Sequence, residues 1–373
     1  MEFMSSQIRA NVLRMEPYSP GKPIAEVQRE LGLDHVIKLA SNENPLGPSP
    51  KAVEALKAAA EQAHIYPDGA HHDFRQAVAS KFNVEFEQVI VGNGSDELIH
   101  LLGLLYLSGP DDEVIVGDPS FVRYDAAAHL SESQLTKVPL DSDYRHDLDA
   151  MLAACTPKTK LLFIANPNNP TGTYITKSEL DALLSAVPTS VTVVLDEAYY
   201  EFAADQPDFP NSADYVRAGA NVVGLRTLSK AYGLAGIRLG YGFAPRVVAD
   251  AINRAREPFN VNALAQVAGI AALNDAEHVE NTLENNRRGL KRMADAFTAL
   301  GARPCASYAN FLFADLGRPA RPVFQALLER GIIVRPGNVF GTPTCLRVSV
   351  GTESEVDAFI EAITEVIKEP ASA

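Results

Sequence analysis

Short apolar runs, each ended by a cluster of small and polar residues, punctuate the chain between about residues 36 and 230. The run at 36–40 ends in Ser41-Asn42-Glu43-Asn44-Pro45, and Val89-Ile90-Val91 ends in Gly92-Asn93-Gly94. Residues 114–116 lead into Gly117-Asp118-Pro119, and 161–165 into Asn166-Pro167-Asn168-Asn169-Pro170-Thr171-Gly172. Residues 191–195 end in Asp196-Glu197-Ala198, and 222–225 in Arg226-Thr227-Leu228-Ser229-Lys230. Such runs predict short strands buried on both faces. Between them, apolar residues at helical spacing predict helices over 50–63, 95–107 and 178–186.

Strands alternating with helices predict an α/β fold with a mostly parallel sheet. In such sheets ligands bind beyond the strand carboxyl ends, where the polar clusters fall. The pattern changes after residue 260. Helices are expected over 262–273, 279–300 and 322–330 and from 353 onward, with strands over 310–314, 332–335 and 346–350. The expected organisation is therefore a large domain over 45–260 and a smaller α+β domain over 261–373. An arm over 1–44, holding one short helix, completes the smaller domain.

The chain has 373 residues, 46% of them hydrophobic, enough for two cores. Its formal charge of −14 opposes binding to nucleic acid or to an anionic membrane. An anionic small molecule would need arginine or lysine placed locally. Cys155, Cys305 and Cys345 are widely spaced and form no CxxC, so neither a disulfide framework nor a metal site is expected. With no leader pattern and no apolar run of about 18 residues, a cytoplasmic protein is expected.

Lys230 carries the most specific signal. Most lysines are solvated charges, but this one follows a buried strand and two hydroxyls, and small residues succeed it in Ala231-Tyr232-Gly233. That context suits a lysine forming a Schiff base with a phosphate-bearing cofactor. Asp196 is either a strand-end turn cap or a buried carboxylate that keeps a pyridine nitrogen protonated. Tyr199 and Asn169 are candidates for the ring's phenolic oxygen, set against a core aromatic and a turn residue. Gly92-Asn93-Gly94-Ser95 reads either as a glycine turn with Ser95 as N-cap or as a phosphate site at a helix N-terminus. It is not a dinucleotide fingerprint, because Glu97 stands where the third glycine is needed. Arg238, with Thr227 and Ser229, is a candidate phosphate ligand. Phe121 is a candidate for stacking on a cofactor ring.

Together these segments resemble the fold-type-I pyridoxal 5'-phosphate aminotransferases, and among them the histidinol-phosphate aminotransferases most closely. Residues 39–45, Ile65-Tyr66-Pro67-Asp68 and Cys345-Leu346-Arg347-Val348 add to the match. The resemblance implies Lys230 as the cofactor-bearing catalytic lysine and Asp196 at the pyridine nitrogen. Asn169 and Tyr199 fall at the phenolic oxygen, and Phe121 stacks on the ring, where many relatives have tyrosine. Ser95, the backbone N–H of Asp96, Thr227, Ser229 and Arg238 fall at the phosphate. Tyr66 is implied to reach a neighbouring subunit's phosphate, hence a homodimer. Arg347 is implied as the substrate-anion arginine, and on a strand it points away from the face of Leu346 and Val348. Arg335 and Tyr18 are further candidates for that anion. The partners implied are a small amino donor and a 2-oxo acceptor, with L-histidinol phosphate and 2-oxoglutarate the expected pair. The alternatives are an aromatic amino-acid aminotransferase and a decarboxylase of phosphothreonine type.

Overall fold

The structure is a computed structural model that describes residues 7–17 and 21–368. Tyr18, a candidate for the anion site, lies outside the described residues.

The first strand, β1 (Ile37–Lys38), belongs to the arm. Seven strands then form the large sheet: β2 (Val89–Gly92), β3 (Glu113–Asp118), β4 (Gln134–Pro139), β5 (Thr159–Ala165), β6 (Thr192–Asp196), β7 (Val222–Thr227) and β8 (Gly240–Phe243). Their order is β2-β8-β7-β6-β5-β3-β4. Only β8 runs antiparallel to its neighbours.

Strict alternation assigns the two faces. Leu161 and Phe163 of β5 pack with Ile99, Leu102 and Tyr124 on one side. Leu162 and Ile164 pack with Met151, Leu180 and Leu183 on the other. Each of these four β5 residues is fully buried, so the strand reads as a continuous apolar run. Helices cover both faces, and several start on explicit caps. Thr176 and Glu179 form a capping box for Lys177–Ala186, and the Asn262 side chain accepts from Ala265 N–H at the start of Ala263–Leu273.

The carboxyl ends of β3, β5, β6 and β7 open on one side of the sheet. A buried ion pair joins two of them. Arg226 Nε donates to Glu197 Oε2 at 2.8 Å, with both side chains fully inaccessible. The N–H and Oγ of Ser212 complete the Glu197 carboxylate, and Tyr200 lies 3.3 Å from Arg226 Cζ. Truncating one partner of such a pair strands a buried charge. The pair therefore sets the mutual position of the loops after β6 and β7.

The remaining strands are β9 (Arg303–Pro304), β10 (Phe311–Asp315), β11 (Ile332–Ile333), β12 (Arg335–Pro336) and β13 (Cys345–Ser349). They form a sheet ordered β12-β13-β10-β9, and β1 pairs in parallel with β11. Ile37 and Leu39 enter the same core as Met293, Phe297, Leu312 and Leu346.

Three features depart from expectation. Among the described residues the arm carries two helices, Ala10–Arg14 and Ile24–Leu31, where one was expected. Strand β4 lies at the sheet edge and is only partly buried, so its sequence lacks the apolar run that marks its neighbours. Strand β8 reads Gly-Tyr-Gly-Phe and has no such run either. A Cβ on Gly240 would lie 2.4 Å from Ser95 N, and one on Gly242 would lie 2.1 Å from Gly224 O. Close backbone approach therefore dictates glycine at both positions.

Candidate active site

At the carboxyl ends of the strands lies a cavity of about 210 Å³ that gathers residues from all parts of the chain. Ser95, Asp96, Phe121, Asn169, Asp196, Tyr199, Thr227, Ser229, Lys230 and Arg238 all line it, as do Arg335 and Arg347. Of the candidate residues among those described, only Tyr66 lies away from it. Tyr66 is 79% exposed and stacks on Phe259 with ring centroids 4.8 Å apart.

Lys230 follows β7. Its Nζ makes a long contact of 3.5 Å with Ser41 O and lies 5.7 Å from the Tyr199 ring. Burial lowers its pKa to about 8, and the nearby Arg347 guanidinium acts in the same direction. A partly neutral amine at neutral pH is the form that attacks a carbonyl.

Asp196 ends β6 at the cavity floor and is buried. Each of its oxygens accepts one hydrogen bond from the protein, and the first matches the expected strand-end turn cap. Oδ1 accepts the N–H of Ala198 at 3.2 Å, and Oδ2 accepts the Tyr124 hydroxyl at 2.8 Å. Burial raises the acid's pKa to about 6. Among the described residues Asp196 forms no ion pair, so a cationic ring nitrogen suits it.

The phosphate end is built on close backbone packing. Gly94 at φ 75° precedes the helix Ser95–Tyr106. Gly94, not Ser95, is the N-cap, and no side chain caps the helix, which leaves its first N–H groups directed outward. Arg238 lies across from it, with Nη2 3.2 Å from Asp96 Oδ2 and Nη1 3.4 Å from Ser229 Oγ. Thr227 Oγ1 donates to Ser229 Oγ at 3.0 Å. Helix N–H groups, two hydroxyls and a guanidinium make a donor set that fits a phosphate. A Cβ at Gly94 would lie 2.4 Å from Arg238 Nη2, so a side chain there would push the guanidinium out of the cradle. Alanine at this backbone geometry also costs about 1–3 kcal/mol. Gly94→Ala is therefore expected to weaken pyridoxal phosphate binding roughly tenfold or more, measured by equilibrium dialysis. Unchanged affinity would remove Arg238 and the helix start from the phosphate site.

On the far wall, Arg347 of β13 is buried and turned opposite to Leu346 and Val348, which enter the core. Its Nη1 donates to Asn169 Oδ1 at 2.6 Å and its Nη2 to Ala40 O at 2.7 Å. With its oxygen held, Asn169 presents its N–H end as a donor. Arg335 of β12 is the direct cross-strand partner of Arg347. An adjoining recess of about 450 Å³ shares Phe121, Tyr124, Asn169, Arg335 and Arg347 with the cavity.

Three contributors carried no sequence signal for the part they take. Asn42 Nδ2 donates to Tyr199 Oη at 2.9 Å, and Ser349 Oγ donates to Asn42 Oδ1 at 2.8 Å. Tyr124 was readable only as a core aromatic. A larger recess of about 590 Å³ lies elsewhere, beside β2. Its arginines already hold partners, Arg75 the Val89 and Phe86 carbonyls and Arg256 the Gly69 carbonyl, so it lacks a convergent reactive set.

Residues 34–363 match the family model for class I and II aminotransferases. The chain is 51% identical to the histidinol-phosphate aminotransferase of Moorella thermoacetica over 361 residues, covering 96% of this chain and 92% of that one. It is 47% identical to the enzyme of the same name from Akkermansia muciniphila, covering 98% and 100% of the two chains. The crystal structure of the Sinorhizobium meliloti histidinol-phosphate aminotransferase, in complex with pyridoxal-5'-phosphate, superposes with a TM-score of 0.90. That alignment has 28% identity and covers 97% of this chain and 98% of the other.

Proposed function

The chain belongs to the class I and II aminotransferase family, and from that premise we propose that it transfers the amino group of L-histidinol phosphate to 2-oxoglutarate, using pyridoxal 5'-phosphate. The reading is carried by the convergence of Lys230, Asp196 and the Gly94–Arg238 cradle on one cavity walled by Arg335 and Arg347. The naming of relatives at 42–51% identity over nearly their full length supports the substrate.

Bound pyridoxal phosphate supplies an electron sink that stabilises negative charge at the reacting carbon. The chain supplies the rest. Ser95, the backbone N–H of Asp96, Thr227, Ser229 and Arg238 hold the phosphate. Phe121 covers a ring face, while Asn169 and Tyr199 donate to the phenolic oxygen. Asp196 places an anion against the ring nitrogen. With the cofactor bound, Lys230 Nζ would bear it at rest, and would then take the proton from the substrate carbon and return it in a 1,3-shift. Its lowered pKa suits both directions of that transfer near neutral pH. Arg347, with Arg335, binds the phosphate of one substrate and the carboxylate of the other, since a guanidinium fork accepts both.

The two substrates then react in turn at one site. Residues 45–260 hold the cofactor, and the arm with 261–373 carries the anion arginines. The working form is a cytoplasmic homodimer in which Tyr66 of each subunit serves the partner's phosphate site. The exposure of Ile65 and Tyr66, at 57% and 79%, supports that assignment.

An absorbance titration without acceptor tests the substrate. The visible band of the bound cofactor is expected to bleach at far lower L-histidinol phosphate than L-phenylalanine. Equal or better bleaching by phenylalanine would make the enzyme an aromatic aminotransferase.

A further inference from the structure

One hydroxyl at the cavity floor has no part in the reaction as described. Tyr124, on the helix Arg123–Ser131, is fully buried. Its ring stacks on Phe163 with centroids 4.6 Å apart and meets Phe121 edge-on at 5.7 Å. Held on two sides, it has little freedom to turn, and its Oη meets Asp196 Oδ2 at 2.8 Å. The other carboxylate oxygen is held by Ala198 N–H. A separate donor on each oxygen sets the rotation of the carboxylate.

We infer that Tyr124 is a positioning residue for the proposed transamination, whose hydrogen bond keeps Asp196 ionised and aligned toward the cofactor's ring nitrogen. The inference rests on the aminotransferase reading and adds to it a residue that acts through Asp196.

The physical case is a competition at one carboxylate. Burial favours the neutral acid, and the charges of Asp96, at the start of the helix Ser95–Tyr106, and of Glu197, next in the chain, act in the same direction. Tyr124 is the strongest opposing influence, followed by the Ala198 N–H. Tyr199 and Asp96 are the other ionisable groups acting on Tyr124, and Lys230 and Arg238 line the same cavity. Tyr124 itself cannot ionise in the working range, because burial and the adjacent Asp196 drive its own pKa far upward. It is therefore a donor at every pH at which the enzyme would act. A neutral Asp196 would lose its attraction for a protonated ring nitrogen, which weakens both cofactor binding and the electron sink.

Tyr124→Phe removes the oxygen and keeps the stacked ring. The expected result is an acid limb of kcat/KM moved up by about one pH unit, since a hydrogen bond to a charged group is of that size. Independently of turnover, the Kd for pyridoxal phosphate should rise roughly tenfold at pH 6 and much less at pH 8. An unmoved limb, with a Kd equal to that of the parent at both pH values, would overturn the inference. Should the variant fail to fold, 3-fluorotyrosine at position 124 strengthens the donor within the same shape. It should move the limb downward, and no movement there would be equally fatal. A parent protein that binds no pyridoxal phosphate would instead remove the aminotransferase reading itself.

Discussion

Lys230→Ala is expected to remove turnover, with a fall of roughly 10³-fold or more, because the variant lacks the only lysine among the described residues that lines the cavity, as well as its proton carrier. The melting temperature should not fall with it. In the folded chain the Lys230 pKa is about 8, below the ordinary lysine value. A lowered lysine pKa means the unfolded chain holds the proton more tightly. The lysine therefore destabilises the fold below about pH 8, and that penalty disappears as pH rises toward the ordinary value. Replacing it with alanine relieves the penalty at neutral pH, and its single hydrogen bond, at 3.5 Å, is weak. The same shift predicts that the amine's reaction with an aldehyde quickens with pH and levels off above about 8. Retained turnover in Lys230→Ala, measured in single-turnover mode to exclude traces of parent enzyme, would refute the assignment of the lysine.

Arg347→Ala is expected to raise KM for both anionic substrates by roughly 10- to 100-fold, the range for loss of a bidentate, charge-assisted contact. Binding of pyridoxal phosphate should change much less, since the phosphate cradle lies at the other end of the cavity. The change should not be confined to KM. Arg347 holds Asn169 Oδ1 at 2.6 Å, so truncation also releases an amide that lines the cavity and should lower kcat by a smaller factor. Arg347→Lys separates the two effects: it keeps the charge but loses the fork, and a lysine cannot hold Asn169, Ala40 O and an anion together. Steady-state kinetics with L-histidinol phosphate and 2-oxoglutarate in turn would read both. Unchanged KM for both would move the anion site to Arg335 and elsewhere.

Much of the site was legible in the chain because its parts sit at strand ends. Thr227, Ser229 and Lys230 lie on one loop after an apolar strand, and Asp196 ends another. Strand identity is a local property, written in short runs of three to five mostly apolar residues, and the geometry of α/β sheets turns those ends toward one another. Arg347 was legible through resemblance, and alternation on its strand decided which face its side chain takes. Tyr66 was legible only through resemblance, and its high exposure gives it no role within its own subunit's cavity.

The sequence by itself thus determined the α/β order, and it marked the candidate lysine, carboxylate and phosphate loop that the cavity gathers. Tertiary structure alone decided how those groups are tuned. Tyr124 reaches Asp196 across 72 residues and Asn42 reaches Tyr199 across 157. Arg347 reaches Asn169 across 178 residues and Ala40 across 307. No periodicity or turn rule links residues at such distances. Each contact depends on how helix, sheet and arm pack, and on the depth at which each side chain settles. Burial then sets the charge state, raising the acid at Asp196 and lowering the amine at Lys230, because both charged forms lose water in the same cavity.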